Sequence, residues 1–156
     1  MAEVPEGYMA NEGKLTYDFF NIDQEFPRHI HTVTEKEIDD FCKSFQEKNP
    51  VYLDNKAARS TGFQGRIAPP MMVRYYAHIQ NMLKGFHETV PGHPIHVSGE
   101  YHFLHPVKVG DTITTRGKLL NKYMKKDKKF LTFEFISENQ NGETVVLNVH
   151  TSIWPK

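Results

Sequence analysis

The segment from Met71 to Phe86 constrains the fold of this chain more than any other, because its apolar residues repeat with the period of an α-helix. They follow the spacing i, i+3, i+4, i+7, i+10, i+11 and i+14, which is typical of a helix with one wide buried face. They are Met72, Tyr75, Tyr76, Ile79, Met82, Leu83 and Phe86. Proline suits the start of such a helix, since the N–H that it lacks would be unpaired there. We therefore predict one long helix over about 71–86.

After this helix the pattern changes to that of β-strands. Apolar residues alternate with polar ones from Ile95 to Phe103, which is the period of a half-buried strand. Three further strands are predicted at 111–120, 130–137 and 143–154. Asn141 and Gly142 lie between the last two, and this dipeptide is typical of a tight hairpin turn. These strands predict a mostly antiparallel sheet.

The residues before the long helix are more irregular. A strand is predicted at 28–33, and Thr34 with Glu37 forms the sequence pattern of a capping box that opens a helix. This helix should end before Asn49-Pro50, because a residue before proline is disfavoured in the helical region. We expect a turn over 49–54 and at most a short helix over 55–60. The chain is therefore predicted to be an α+β domain whose sheet wraps around the long helix.

The composition limits the cellular context and the partners. At 156 residues the chain fits a single domain, which we place at 17–156 after a polar N-terminal arm over 1–16. Lys plus Arg and Asp plus Glu both total 19, so no net charge favours nucleic acid or an anionic membrane. Cys42 has no second cysteine to pair with, the first residues have neither the basic nor the apolar region that a signal peptide would need, and no apolar run is long enough to span a membrane. We expect a cytoplasmic protein.

Two motifs resemble those of the MaoC-like hydratases and dehydratases, and the resemblance extends over about residues 25–154. The first is Asn49-Pro50-Val51-Tyr52-Leu53-Asp54 with the later run Gly62-Phe63-Gln64-Gly65-Arg66-Ile67-Ala68-Pro69-Pro70-Met71-Met72. The second is His105-Pro106-Val107-Lys108-Val109-Gly110-Asp111-Thr112. The resemblance implies a hot-dog fold, pairing of two hot dogs through a continuous sheet, and acyl thioesters of CoA or acyl carrier protein as substrates. It implies neither a metal nor a cofactor.

The same resemblance implies an acid–base dyad in which two positions of this chain depart from the pattern. Active relatives carry an aspartate two residues before Asn-Pro and a histidine two residues after that proline. This chain has Glu47 and Tyr52 there. The phenol of tyrosine, with a pKa of about 10, is a poor base near neutrality. Glu47 and Tyr52 are thus either a degenerate catalytic pair or ordinary structural residues.

The substrate contacts implied by the resemblance surround the start of the long helix, whose amides bind the thioester oxygen. We expect them at Gly65, Ile67, Pro70, Met71 and His78. Pro70 replaces a glycine that is common in active members, and it has no N–H to donate to an oxyanion. The Met71 amide remains available. This Ala-Pro-Pro run resembles the non-catalytic half of double-hot-dog dehydratases and the accessory subunits of heteromeric ones.

Other polar clusters have both a functional and a structural interpretation. Lys125 and Lys126 belong to a lysine-rich hairpin tip that either attracts the phosphates of CoA or is simply a solvated turn. His78 is either a substitute catalytic imidazole or a hydrogen-bonded interface residue. The close pairs of histidines, His29/His31, His93/His96 and His102/His105, have no carboxylate or cysteine at a spacing that completes a metal site. We therefore predict no metal.

Four functions remain in competition at this point. The first is a subunit of an enoyl-thioester hydratase or 3-hydroxyacyl-thioester dehydratase, a hydro-lyase, whose catalytic Asp and His come from a hot-dog partner chain. The second is a self-sufficient enoyl-CoA hydratase homodimer that uses Glu47, and the third is a non-catalytic acyl-CoA-binding protein. A hot-dog thioesterase is disfavoured, because Met71 to Phe86 contains neither Asp nor Glu. Acyl chain length and the choice between CoA and carrier protein are left open by the sequence.

Overall fold

Five strands form a single sheet in which every neighbouring pair is antiparallel. The computed structural model describes residues 14–84, 86 and 89–155. The strands are β1 (His29–Thr32), β2 (Ile95–Phe103), β3 (Thr112–Lys125), β4 (Lys128–Glu138) and β5 (Thr144–Trp154). Their order across the sheet is β1-β3-β4-β5-β2, so β1 and β2 are the edge strands. The predicted α+β class with an antiparallel sheet is confirmed.

The first helix, α1 (Glu35–Ser44), begins as the sequence predicts. The Thr34 hydroxyl accepts a hydrogen bond from the Glu37 amide at 3.2 Å, and the Glu37 carboxylate accepts one from the Thr34 amide at 2.8 Å. This reciprocal arrangement satisfies two amides that a helix start otherwise leaves unpaired. The face carrying Ile38, Phe41 and Cys42 is buried.

The turn predicted over 49–54 is instead helical. Two short helices, α2 (Pro50–Leu53) and α3 (Asn55–Ser60), follow one another there. Asn49 is extended, as expected before proline, and its side chain accepts a hydrogen bond from the Val51 amide at 3.2 Å. Asn49 therefore acts as an N-cap, and Pro50 takes the first helical position that tolerates proline.

The helix predicted over 71–86 is present but interrupted. It consists of a 3-10 helix (Pro70–Met72), α4 (Val73–Tyr76) and α5 (Ile79–Leu83), and Ala77 and His78 leave the helical region between them. The Asn148 side chain on β5 donates to the Ala77 carbonyl at 3.1 Å, and the Asn81 side chain donates to the Tyr75 carbonyl at 2.8 Å. Side chains thus satisfy carbonyls that the break removes from the helical ladder.

Both halves of the interrupted helix still pack on the sheet, in two adjoining cores. Residues of α5, including Ile79, Met82 and Leu83, pack with aromatic residues of β4 and with Trp154. Val73, Tyr76 and Ala77 pack with the buried face of α1 and with Ile113, Val145 and Val146. The helical repeat of apolar residues therefore survives the break, because each half keeps its own buried face.

The chain upstream of β1 closes one end of this core. Leu15 is fully buried, and the Trp154 indole donates to its carbonyl at 2.8 Å. This contact lies inside the segment 1–16 that was predicted as an arm, and the first thirteen residues of that arm lie outside the described residues. Within the described part of the chain, no helix is long and apolar enough to cross a membrane.

The two hairpins formed by β3, β4 and β5 have turns of different kinds. Lys126 and Asp127 both have positive φ, 48° and 57°, and they form the tight turn between β3 and β4. In the loop after β4 only Gly142 has positive φ, at 78°, while the Asn139 side chain accepts from the amides of Asn141 and Glu143. The predicted hairpin at Asn141-Gly142 is present, but its turn is wider than the tight turn expected for this dipeptide.

Candidate functional site

Glu47 lies just after α1 and is half-buried. Its amide donates to the Cys42 carbonyl at 2.8 Å, which helps to end the helix. One carboxylate oxygen, Oε1, accepts hydrogen bonds from the amides of Lys48 and Asn49, at 2.8 and 2.9 Å. The carboxylate therefore holds the start of the following loop in place through backbone hydrogen bonds.

Tyr52 lies in α2 and packs at the margin of the core formed by α1 and α4. Burial raises the pKa of the Tyr52 phenol, and the nearby Glu47 carboxylate and Cys42 raise it further. Tyr52 thus keeps its proton at neutral pH. The pair at the two dyad positions combines a carboxylate that accepts backbone hydrogen bonds with a phenol that is even less ionised at neutral pH than a free tyrosine.

The loop between α3 and Pro70 is anchored by Arg66, which the sequence reasoning passed over. Its side chain is 7% exposed and forms ion pairs with Glu35 and Asp39 of α1. Its Nε atom donates to the Tyr52 carbonyl at 2.7 Å. A buried arginine with two carboxylates and a carbonyl fixes the loop against both α1 and α2. In the sequence, Arg66 is noticeable only as a charged residue inside an otherwise apolar and glycine-rich run.

Two expected substrate contacts flank this arginine and serve the packing of the same loop. Gly65 lies so close to Asn55 that an added Cβ would be 3.2 Å from its Oδ1 atom. Ile67 is buried and pairs with Lys108 in an isolated β-bridge. The second motif meets the loop here: Asp111 is buried, and its carboxylate accepts from the Lys108 amide at 2.8 Å and from Gln140 at 2.9 Å.

The start of the 3-10 helix lies at the surface. Pro70 is its first residue and is exposed, and Met71 is 53% exposed. Because Pro70 has no N–H, the Met71 amide is the first that this turn can offer to a ligand. The exposed Met71 side chain is apolar, so this corner of the fold presents a hydrophobic surface beside a backbone donor.

His78 belongs to a separate polar cluster at the break between α4 and α5. Its Nε2 atom is 3.0 Å from Arg74 Nη2, and its ring meets that of His150 edge-on at 5.5 Å between centroids. His150 in turn contacts His96 and, at 2.7 Å, the Ser152 hydroxyl. Burial, followed by neighbouring positive groups, lowers the pKa of both His78 and His150 to about 4.

These imidazoles are therefore neutral near pH 7. No hydrogen bond or ring contact among the described residues joins His78 to Glu47 or Tyr52. Two other histidines named from the sequence lie outside this cluster: His102 pairs with Glu100, and His105 contacts the Thr144 carbonyl. The histidine cluster combines a residue of the break between α4 and α5 with residues of two strands, so no local sequence pattern predicts it.

The lysine-rich tip divides into two groups of side chains. Lys122 and Lys129 lie over the Tyr17 ring, with their ammonium groups at 4.4 and 5.2 Å from its centroid. Lys125 and Lys126 are exposed around the tight turn. Attraction between a cation and an aromatic face stabilises the first pair in place, whereas the second pair projects from the hairpin into solvent.

Comparison with known proteins gives a consistent family and fold. The family model described as FAS1-like, dehydratase domain region, matches residues 22–148. A UPF0336 protein from Tropheryma whipplei (strain Twist) is 25% identical over 134 residues, which cover 79% of this chain and 89% of the relative.

Two solved structures overlap with most of the chain. The unliganded R-hydratase PhaJ1 from Pseudomonas aeruginosa has a TM-score of 0.75 and 23% identity, covering 91% of this chain and 86% of that one. The C-terminally truncated 3R-hydroxyacyl-ACP dehydratase complex HadBC from Mycobacterium tuberculosis has a TM-score of 0.74 and 20% identity, covering 85% of this chain and 96% of that one. At such identities the likeness shows the fold, and the predicted hot-dog fold is confirmed.

Proposed function

Because the chain belongs to the FAS1-like dehydratase domain family, with the hot-dog fold of MaoC-like hydratases, we propose that it is a subunit of an enoyl-thioester hydratase or 3-hydroxyacyl-thioester dehydratase. In this proposal it shapes the tunnel for the acyl chain, while a hot-dog partner chain supplies the catalytic Asp and His. The substrate is an acyl thioester of CoA or of acyl carrier protein.

The proposal rests on the backbone hydrogen bonds of the Glu47 carboxylate and on the raised pKa of Tyr52. Hydration of a 2,3 double bond needs a group that takes a proton from water and a group that delivers one to C2. The carboxylate of Glu47 already accepts two backbone hydrogen bonds, and the pKa of Tyr52 is raised. At the family's dyad positions this chain therefore offers a carboxylate that is engaged by the backbone and a phenol that keeps its proton at neutral pH, which supports a partner that provides the catalytic pair.

A second feature supports association with another chain. Among the described residues, β2 pairs only with β5, so its other backbone edge is unpaired over nine residues. Ile95, Val97 and Phe103 on this strand are 61%, 46% and 45% exposed. A long edge with apolar side chains favours pairing with another strand. HadBC of Mycobacterium tuberculosis is a dehydratase complex, and in this proposal the present chain also assembles with a partner, through β2.

Within such an assembly the remaining expected residues keep proposed roles. The Met71 amide donates to the thioester oxygen as negative charge develops there, since Pro70 cannot. Gly65 and Ile67 support the loop that leads to this amide, and His78 faces the polar cluster near β2. Lys125 and Lys126 attract the phosphates of CoA or an acidic carrier protein at long range.

The decisive measurement is hydration of trans-2-enoyl-CoA, followed by loss of the absorbance of the conjugated thioester. We expect the purified chain to be inactive alone and active with a hot-dog protein that carries the Asp/His pair and copurifies from the native source. Glu47→Gln should leave the turnover of this complex within about twofold, because the carboxylate takes no proton from the substrate. Turnover by the chain alone that is lost in Glu47→Gln would instead establish a self-sufficient homodimer.

The assembly is tested separately with two matched variants on opposite edges of the sheet. Ile95 on β2 and Ile30 on β1 are 61% and 65% exposed. Ile95→Lys should abolish association in sedimentation velocity, because an edge lysine opposes pairing of strands, whereas Ile30→Lys should leave it intact. Equal effects of the two variants, or none, would contradict pairing through β2.

A further inference from the structure

A cavity of about 410 Å³ opens between β1 and the interrupted helix, away from the proposed dyad positions. One wall of the cavity comes from β1 and the other from the helical segment. His29 and His31 project from β1, and Tyr75, Asn81, Arg74 and Lys84 come from α4, α5 and the residue after α5. The sequence suggested no ligand for His29 and His31, since no metal is predicted there. The proposed function gives the side chains that line this cavity no role; Arg74 contacts His78, which does have one.

The lining of this cavity is positive. Arg74 and Lys84 are cations near pH 7, His29 and His31 become cations on protonation, and no carboxylate among the described residues lines the cavity. Glu37 does not line the cavity, but its carboxylate lies 3.2 Å from the His31 Nε2 atom. In the described part of the chain neither Arg74 nor Lys84 pairs with a carboxylate: their side chains contact His78 and Asn81. Among the described residues, the charges of Arg74 and Lys84 are therefore not compensated by a carboxylate.

This charge already affects the imidazole beside it. Burial lowers the pKa of His29, and the positive groups of His31 and Lys84 lower it further, against a raising hydrogen bond with the Tyr75 backbone. The His29 Nε2 atom is buried and has no hydrogen-bond partner among the residues that the structure describes. Positive groups that repel one another across an open cavity are stabilised by an anion between them.

We propose that this cavity binds a phosphate ester. The phosphate lies between Arg74 and Lys84, which donate charge-assisted hydrogen bonds to its oxygens, and Asn81 offers an uncharged amide beside them. The cavity is larger than a bare phosphate ion, and the half-exposed Tyr75 ring forms a wall for the organic part of the ester. The inference goes beyond the proposed function and is independent of it, because it uses neither the dyad positions nor β2.

The test is a titration of the full chain with inorganic phosphate at pH 7 and constant ionic strength, followed by histidine side-chain NMR. We expect saturable shifts at His29 and His31 but not at His102, which pairs with Glu100 on β2. The bound anion should also raise the pKa of His29, since it favours the charged imidazole. Sulfate, which stays dianionic, should give the same rise when its titration is repeated at several pH values.

Two lysine variants decide whether the binding is local. Lys84→Gln should weaken phosphate binding about tenfold or more, because one charge-assisted hydrogen bond is lost. Lys56→Gln removes the same charge from the exposed helix α3 and should leave binding unchanged. Thermal unfolding of both variants checks that they fold. An absence of saturable shifts, or equal weakening in the two variants, overturns the site.

The source of the phosphate is distinguished by CoA and dephospho-CoA, which differ in the 3′-phosphate. Stronger shifts of His29 and His31 with CoA, lost in Lys84→Gln, would support the site and identify that phosphate as its ligand. Binding of inorganic phosphate with no difference between the two nucleotides would support the site for another phosphate ester. Because these readouts need no turnover, they stay valid if the chain proves to have no hydratase partner.

Discussion

Helix α1 and the segment from Pro70 to Leu83 both carry a helical repeat of apolar residues, yet only α1 runs unbroken. The start of α1 is held by its own neighbours, Thr34 and Glu37, three residues apart. The break in the other segment is held by Asn148, which is 71 residues away from Ala77 in sequence. The difference teaches that an apolar repeat predicts which face is buried, whereas continuity depends on where the backbone carbonyls find partners.

The largest effect that we expect is a loss of stability at acidic pH, which arises at the break and not in α1. The pKa of His78 and His150 is about 4 in the folded chain, against an ordinary value of 6.5. The unfolded chain therefore binds more protons between these values, so stability is lost as the pH falls from about 6.5 to about 4. We expect a loss of about 2 kcal/mol in the free energy of unfolding, after allowance for solvent screening of the partly exposed His78.

Urea denaturation across this pH range measures the loss. The pKa shifts of His78 and His150 arise at the break. As the pH falls, amides of α5 should therefore lose protection from hydrogen exchange before those of α1 do. His150→Gln should flatten the dependence on pH, and His102→Gln, at an exposed imidazole, should not. A dependence that is unchanged in His150→Gln would place the titration elsewhere.

The next effect concerns the side chain that holds the break. Asn148→Leu removes the donor to the Ala77 carbonyl in a buried setting, and we expect a loss of about 1–2 kcal/mol. The loss is moderated because the Asn148 Oδ1 atom is itself buried and has no hydrogen-bond partner in the described part of the chain. Chemical denaturation gives the magnitude. A variant as stable as the parent, with greater helicity by circular dichroism, would show that the segment closes into one continuous helix once Asn148 is gone.

The smallest effect concerns the cap of α1. Thr34→Ala removes the hydroxyl that accepts from the Glu37 amide, and an N-cap of this kind is worth about 1 kcal/mol. Thr16 provides a matched control, because it precedes the 3-10 helix Tyr17–Phe19 but makes no side-chain cap hydrogen bond. Thr16→Ala should change the free energy of unfolding by less than about 0.5 kcal/mol. Equal losses would mean that the capping box does not stabilise α1.

The two turns of the sheet show the same division between local and distant causes. The dipeptide Asn141-Gly142 was recognised because glycine accepts positive φ, and Gly142 does so. Lys126 and Asp127 gave no such signal, yet both adopt positive φ to connect the long strands β3 and β4. The ladder on either side of the turn forces this conformation, at a cost that an isolated dipeptide would not bear.

The candidate site divides in the same way. The motifs near Asn49 and Asp111 showed which segments of the chain form the candidate site. The substitutions Glu47 and Tyr52 were visible from their spacing to Asn49-Pro50. The anchoring role of Arg66 was not visible, because its partners Glu35 and Asp39 lie on another helix. Nor was the cluster of His78, His96 and His150, which three separate elements bring together.

The sequence by itself determined the antiparallel strands, the cap of α1, the buried face of the 70–83 segment and the family motifs, since each depends on spacings of a few residues. Only the tertiary structure decided where the central helix breaks, that the Glu47 carboxylate accepts backbone hydrogen bonds, and that the histidines of β1 and the cations of the helical segment face one cavity. The physical reason is that these features depend on hydrogen bonds and charges between residues far apart in the chain, which local periodicity does not encode.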